Sequence, residues 1–218
     1  MKENLTELIF ILDRSGSMFG LENDTIGGFN AMLEKQKQEP GQVLVTTVLF
    51  DNLCEVIHDR TDLLNIAPMT RKDYYVRGST ALLDAVGKTV AHIAKIHKYA
   101  REEDRPDKTL FVITTDGMEN ASRDFTYERV KNLIHRHQTR DGWEFLFLGA
   151  NIDAAKEAAR FGIDRDHTAD YLADSQGTTV LYEAVNDAVC SIRTDRPMDK
   201  AWKHRIDADY RKRTKTSG

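Results

Sequence analysis

The sequence contains few cysteines and few prolines. Its 218 residues include two cysteines and four prolines, so neither a disulfide framework nor a proline-rich linker is indicated. Cys54 and Cys190 lie far apart within apolar-periodic segments, where we expect small buried side chains rather than a bridge or a metal pair. Two reduced cysteines agree with a cytoplasmic location, which is our expectation.

Long hydrophobic runs and a strong net charge are also missing. Glu7 interrupts the first apolar segment and Asp13 ends it, a pattern that predicts neither a signal peptide nor a membrane span. A formal net charge of −4 gives no general attraction to nucleic acid or to an anionic membrane surface. We therefore expect no nucleic-acid and no membrane partner.

The basic residues are unevenly distributed along the chain. Residues 200–218 hold seven of the 31 lysines and arginines but only two of the 35 acidic residues, which leaves 24 − 33 = −9 for residues 1–199. We predict one domain over residues 1–194 and a basic tail over residues 195–218. The tail is expected either to be a solvated, frayed helix end or to contact an acidic surface of a partner.

Short runs of β-branched and aromatic residues alternate with longer segments of helical period, as in an α/β protein. The predicted strands are residues 5–12, 43–50, 53–58, 109–115, 143–148 and, weakly, 167–171. The predicted helices surround residues 26–33, 82–97, 130–137 and 181–192. Only Asp51 and Asn52 separate the second and third strands, which predicts a hairpin. We expect a doubly wound, mostly parallel six-stranded sheet with one antiparallel edge strand and helices on both faces.

Polar residues follow two of the most apolar strands. Asp13, Ser15 and Ser17 alternate after the first strand, and Asp116 ends the fourth. Ligands bind at the carboxyl ends of parallel strands, so we expect these side chains to meet there. Thr80, before the second helix, is either that helix's N-cap or a further member of the site.

These five residues are hard oxygen donors, which select Mg²⁺, Mn²⁺ or Ca²⁺. A zinc site would favour closely spaced cysteine and histidine, which the sequence lacks. Carboxylates would hold the cation, and neutral hydroxyls would leave it able to bind another anionic oxygen. An Asp-x-Ser motif alone is also typical of a simple turn, but all five residues in register favour a metal site.

The residues at positions 13–17, 78–80 and 115–117 resemble the metal-ion-dependent adhesion site of the von Willebrand factor A domain, with its DxSxS, Thr and TDG segments, as found in standalone bacterial domains. The resemblance covers about residues 5–194 and implies the same doubly wound fold. It also implies that Ser15, Ser17 and Thr80 are direct or state-dependent ligands. Asp13 and Asp116 would often act through bridging water.

We therefore predict a binding module rather than an enzyme, in which a bound Mg²⁺ takes an Asp or Glu carboxylate from a partner protein. Loop residues around the metal would set specificity. The predicted rim residues are Arg14, Met18, Phe19, Arg77, Met118, Glu119, Asn120 and Asn151.

Two alternatives stay open. A Mg²⁺-dependent phosphoryl-transfer hydrolase also places aspartates at such strand ends, but it usually needs a second carboxylate where this chain has Ser15, and a positioned lysine. In the other alternative the chain is a scaffold that binds through its tail or its helix faces, and the metal is purely structural.

Overall fold

The computed structural model alternates strands and helices along the chain, as the apolar and helical segments of the sequence predict. The structure describes residues 2–196, 198 and 200–215, with side chains from Leu5 onward. Its strands are β1 (Lys2–Asp13), β2 (Gln42–Phe50), β3 (Cys54–Asp62), β4 (Pro106–Asp116), β5 (Glu144–Ala150) and β6 (Thr168–Tyr171). They form one sheet in the order β3-β2-β1-β4-β5-β6, and only the β2–β3 pair is antiparallel. The predicted fold class is confirmed.

Helices cover both faces of this sheet. They are α1 (Glu22–Gln36), α2 (Leu82–Tyr99), α3 (Tyr127–Asp141), α4 (Ala154–Phe161), α5 (Ser175–Arg193) and α6 (His204–Thr214). Alternate residues of β1 point to opposite faces. Leu8 and Phe10 pack in a core with α1, α5 and α6, whereas Ile9 and Ile11 pack in a second core with α2, α3 and α4. None of the described helices is long and apolar enough to cross a membrane.

Much of the predicted basic tail is packed against the domain. Trp202 and Ile206 are buried, and the Trp202 indole donates to the carbonyl of Asp166 at 3.0 Å. The Lys203 ammonium donates to the carbonyls of Arg165 and Thr168 at 2.6 and 2.9 Å. Other basic residues of this segment pair with acidic side chains, namely Lys200, Arg205, Arg211 and Arg213. The described residues of this segment therefore do not form a frayed end. Residues 197, 199 and 216–218 lie outside the described residues.

Helices α4 and α6 have no counterpart among the predicted helices. Helix α4 has only eight residues, too few for a clear apolar period, and α6 is largely polar except for Ile206. Both cysteines are free, in agreement with the expectation that they form no bridge, but they are only partly buried rather than buried. Burial raises the pKa of the Cys54 thiol to about 11, so it is a poor nucleophile at neutral pH.

Candidate metal centre

The candidate site lies where β1 and β4 end side by side. The two strands are parallel neighbours, with Leu12 opposite Thr114, so their carboxyl ends open at one edge of the sheet. Helix α1 follows β1 and helix α3 follows β4, and these two helices lie on opposite faces of the sheet, so the connections diverge at this point. Such a divergence leaves a crevice above the strand ends.

Asp13 is fixed in position by neighbours from both strands. One carboxylate oxygen accepts from the Ser15 amide at 2.7 Å, and the other accepts from the Thr115 hydroxyl at 2.9 Å and the Asp116 amide at 3.0 Å. Buried Tyr74 donates its hydroxyl to the Asp13 carbonyl at 2.5 Å. The loop that follows β1 and carries Asp13, Ser15 and Ser17 is thus hydrogen-bonded to β4 and to the loop before α2.

The hydroxyls of Ser15 and Ser17 lie 3.1 Å apart. The Ser17 hydroxyl also donates to the backbone carbonyl of Asp116, which leaves lone pairs on its oxygen available to a cation. Two adjacent ligands of an octahedral Mg²⁺, each at about 2.1 Å, would be about 3 Å apart. The separation of the two serine oxygens therefore fits that ion.

Thr80 lies on a third loop, which is hydrogen-bonded to the loop that carries Ser15 and Ser17. The Gly16 amide donates to the Gly78 carbonyl at 3.2 Å, and this bond joins the DxSxS loop to the Thr80 loop. Asn120 holds Thr80 from the other side. Its side-chain oxygen accepts from the backbone amide of Thr80 at 2.9 Å, and its backbone amide donates to the Thr80 carbonyl at 3.0 Å. The N-cap of α2 is Ala81, so Thr80 is not the cap that its position also permitted.

Gly78 shows why this loop needs glycine. Its φ of +70° lies in the left-handed region, and a Cβ added there would lie 2.2 Å from the side-chain oxygen of Asn52. A larger residue would have to displace the Asn52 side chain and would be strained at this φ.

Asp13 and Asp116 are buried carboxylates with no basic partner among the described ion pairs. Burial raises the pKa of Asp13, and hydrogen bonds from Ser15, Asp116 and Thr115 oppose this rise only in part. Burial likewise raises the pKa of Asp116, against a hydrogen bond from Asn151 at 2.5 Å. Two desolvated acids of this kind are stabilised by a bound cation.

The donor set decides which cations the site can hold. Within the described residues, no three His, Cys, Asp or Glu side chains come together as a metal cluster. A metal here would have to use serine and threonine hydroxyls beside the two carboxylates, a set suited to Mg²⁺, Mn²⁺ or Ca²⁺ rather than to a structural zinc. The residues present fit a hard divalent cation.

Two residues predicted at the rim point inward instead. Arg14 is fully buried, and its guanidinium pairs with Asp51 at 2.9 Å and with Glu55 at 2.7 Å. Met18 is 5% exposed and belongs to the core beside α1 and α5. The prediction that these two side chains contact a ligand is wrong, because buried partners from distant segments draw them into the protein.

Three further rim residues serve the loops themselves. Arg77 is exposed but pairs with Asp51 at 2.7 Å. Glu119 accepts from the Leu83 amide at 2.8 Å and so caps α2, while Asn120 holds Thr80 as described.

The last three rim residues are exposed. Asn151, with a φ of +56°, also contacts Asp116. Phe19 and Met118 are 82% and 61% exposed, as a rim requires.

Sequence reasoning missed several residues that support the site. Thr115, which binds Asp13, was signalled only as the first letter of the TDG segment. Tyr74 and Asp51 gave no signal, since each acts on a residue far away in the sequence.

Comparison with solved structures shows the fold. No protein-family model and no curated protein matches the sequence. The chain is similar to the von Willebrand factor domain of the type V pili tip protein Mfa5 from Porphyromonas gingivalis, with a TM-score of 0.58 and 10% identity over 84% of this chain and 95% of that one. A mutant of the PilB minor pilin from Streptococcus sanguinis gives a TM-score of 0.60 and 12% identity, over 89% of this chain and 63% of that one.

A third similar structure is that of proximal thread matrix protein 1 from the mussel byssus, described with a zinc-occupied metal-ion-dependent adhesion motif. Its TM-score is 0.59 and its identity 15%, over 85% of this chain. This chain spans about half of that protein, 46% of its length. At these identities the similarity concerns the fold alone.

Proposed function

Since the chain has the von Willebrand factor A-type fold, we propose that it is a divalent-cation-dependent protein-binding module. Five residues would hold a Mg²⁺ ion, namely Asp13, Ser15, Ser17, Thr80 and Asp116. The bound ion would take an Asp or Glu carboxylate from a partner protein. The observation that carries this proposal is the meeting of two serine hydroxyls with two buried carboxylates that have no basic partner among the described ion pairs.

The residues of the chain divide the work. Asp13 and Asp116 supply negative charge, and the hydrogen bonds that Asp13 accepts from the end of β4 hold these two segments together. The hydroxyls of Ser15, Ser17 and Thr80 offer neutral oxygens. When bound, the cation supplies the positive charge that attracts a partner's carboxylate.

Titration calorimetry of the protein with Mg²⁺, Mn²⁺, Ca²⁺ and Zn²⁺ tests the metal part. We expect Mg²⁺ to bind, and Ser17→Ala to weaken that binding. Thr139→Ala, an exposed hydroxyl on α3, is the matched control and should leave affinity unchanged. The absence of any divalent-ion binding at millimolar concentration contradicts the proposal. If only Zn²⁺ binds, the proposal stands with zinc in place of Mg²⁺, the ion described for the mussel protein.

A pull-down from native lysate tests the partner part. Partners should be retained in Mg²⁺ and lost both in EDTA and with Asp116→Ala. Retention in EDTA and with Ser17→Ala would favour a scaffold with a structural metal. Turnover of a generic phosphoester that is abolished by Asp13→Ala would favour a hydrolase.

The proposal includes a cytoplasmic location. It is supported by the two free cysteines, since unpaired thiols are typical of a reducing compartment. Cell fractionation that recovers the protein outside the cytoplasm would contradict this part alone.

A further inference from the structure

Large apolar side chains stand in solvent on the loops that carry the candidate ligands. Phe19 and Met118 are 82% and 61% exposed. Phe19 follows Ser17 by two residues, and Met118 follows Asp116 by two. Two residues span at most about 7 Å of chain, so both side chains start close to the proposed cation.

The two loops are also in direct contact with each other. The Ser17 hydroxyl donates to the Asp116 carbonyl, and a Cβ added to Gly117 would lie 3.8 Å from the Ser17 oxygen. Phe19 is held by a bond from its amide to the Gly16 carbonyl at 3.3 Å, and Gly20 after it donates to the Glu22 carboxylate at 2.8 Å. The backbone thus presents Phe19 outward from an anchored turn.

The charges around this edge do not favour a polyanion. Arg14 and Arg77, which lie on the loops of the site, both pair with Asp51, and Arg14 also pairs with Glu55, so two positive charges are balanced by two negative ones. The exposed ring of Tyr75 lies against both guanidinium groups, at 5.1 and 5.2 Å. A ligand with several negative charges would therefore gain little from these side chains beyond the cation itself.

From this arrangement we infer that the partner segment carries a single Asp or Glu flanked by large apolar side chains. The carboxylate would meet the cation, and the apolar neighbours would be removed from water against Phe19 and Met118. This inference rests on the proposed function, since it specifies the ligand of the same site.

The test uses blocked pentapeptides and the full ¹⁵N-labelled chain, titrated by NMR in saturating Mg²⁺. The probes are acetyl-Gly-Leu-Glu-Leu-Gly-amide, its Ser-Glu-Ser and Glu-Glu-Glu counterparts, and inorganic phosphate. We expect the Leu-Glu-Leu peptide to bind about tenfold more tightly than the others, the scale that burial of apolar side chains allows. EDTA should abolish its binding.

Phe19→Ser and Met118→Ser should each remove most of that preference without weakening Mg²⁺ binding by calorimetry. Both positions are exposed, so the fold should be unaffected, and Tyr99→Ser, at the 72% exposed end of α2, is the matched control. Mg²⁺-dependent binding with equal or reversed preference, or with no effect of either variant, overturns this inference alone. If no probe shows Mg²⁺-dependent binding, the proposed function fails together with it.

Discussion

Two groups of buried carboxylates lie at the same end of the sheet and are treated in opposite ways. Asp51, at the β2–β3 turn, is fully buried between Arg14 at 2.9 Å and Arg77 at 2.7 Å. Asp13 and Asp116 are as deeply buried, but no basic side chain pairs with either among the described residues. The negative charge of Asp51 is balanced by arginines of the protein itself. The negative charges of Asp13 and Asp116 are left for a bound cation to balance.

The pKa directions express the same contrast. Burial alone would raise the pKa of Asp51, but hydrogen bonds from Arg77, the Leu53 amide and Arg14 hold it below its usual value. At Asp13 and Asp116 burial prevails and the pKa is raised. A charge that the chain buries without a counter-charge is typical of functional sites, whereas a matched pair is typical of structural ones.

The largest expected effect comes from removing the compensated acid. Asp51→Asn would leave Arg14 buried with its main counter-charge gone, and we expect a loss of about 3–5 kcal/mol in the free energy of unfolding. Urea denaturation measures it. Asp124→Asn, which breaks the exposed Lys88 pair, should cost less than about 1 kcal/mol. Equal losses in the two variants would show that the Asp51 cluster is not structural.

The uncompensated acids should respond to metal instead. In chelator, Asp116→Asn should be at least as stable as the wild type, because it removes a buried charge. With Mg²⁺ at a hundred times its dissociation constant, the wild type should gain about 2.7 kcal/mol and the variant little. Thermal unfolding with and without Mg²⁺ measures the difference. An equal gain in both proteins would place the ion elsewhere.

A smaller effect is expected where a neutral residue holds the site together. Asn120→Ala removes the acceptor for the Thr80 amide, a bond worth about 1 kcal/mol, and should weaken Mg²⁺ binding by about fivefold. Calorimetry compares it with Asn132→Ala, an exposed position on α3 that should change nothing. Unchanged affinity in Asn120→Ala would mean that Thr80 keeps its place without this contact.

The smallest effect concerns a partly exposed acid outside the site. Hydrogen bonds from Arg213 hold the pKa of Asp174 below its usual 3.8, so this pair stabilises the fold fully above that pH. Its contribution should fade as the pH falls through the lower folded pKa. Arg213→Met, which also removes the pair with Asp209, should cost about 1 kcal/mol at pH 7, and less at a pH below both pKa values of Asp174. Urea unfolding at the two pH values checks this.

The fold could be predicted because local patterns specify it. Apolar runs of strand length placed all six strands, and the two-residue turn at Asp51 and Asn52 specified the antiparallel edge. The short helix α4 and the polar helix α6 were missed, since their apolar residues are too few to show a period without knowledge of what they cover.

The candidate site could likewise be predicted in part from local sequence patterns. The sequence by itself determined that Asp13, Ser15, Ser17 and Asp116 would meet, because each sits at or just after the end of a strand in a parallel sheet. Only the tertiary structure decided that Arg14, between two of these residues, turns inward to Asp51, which lies 37 positions away. Where a side chain in a loop points depends on the charges that distant segments bring beside it, and no local period encodes those.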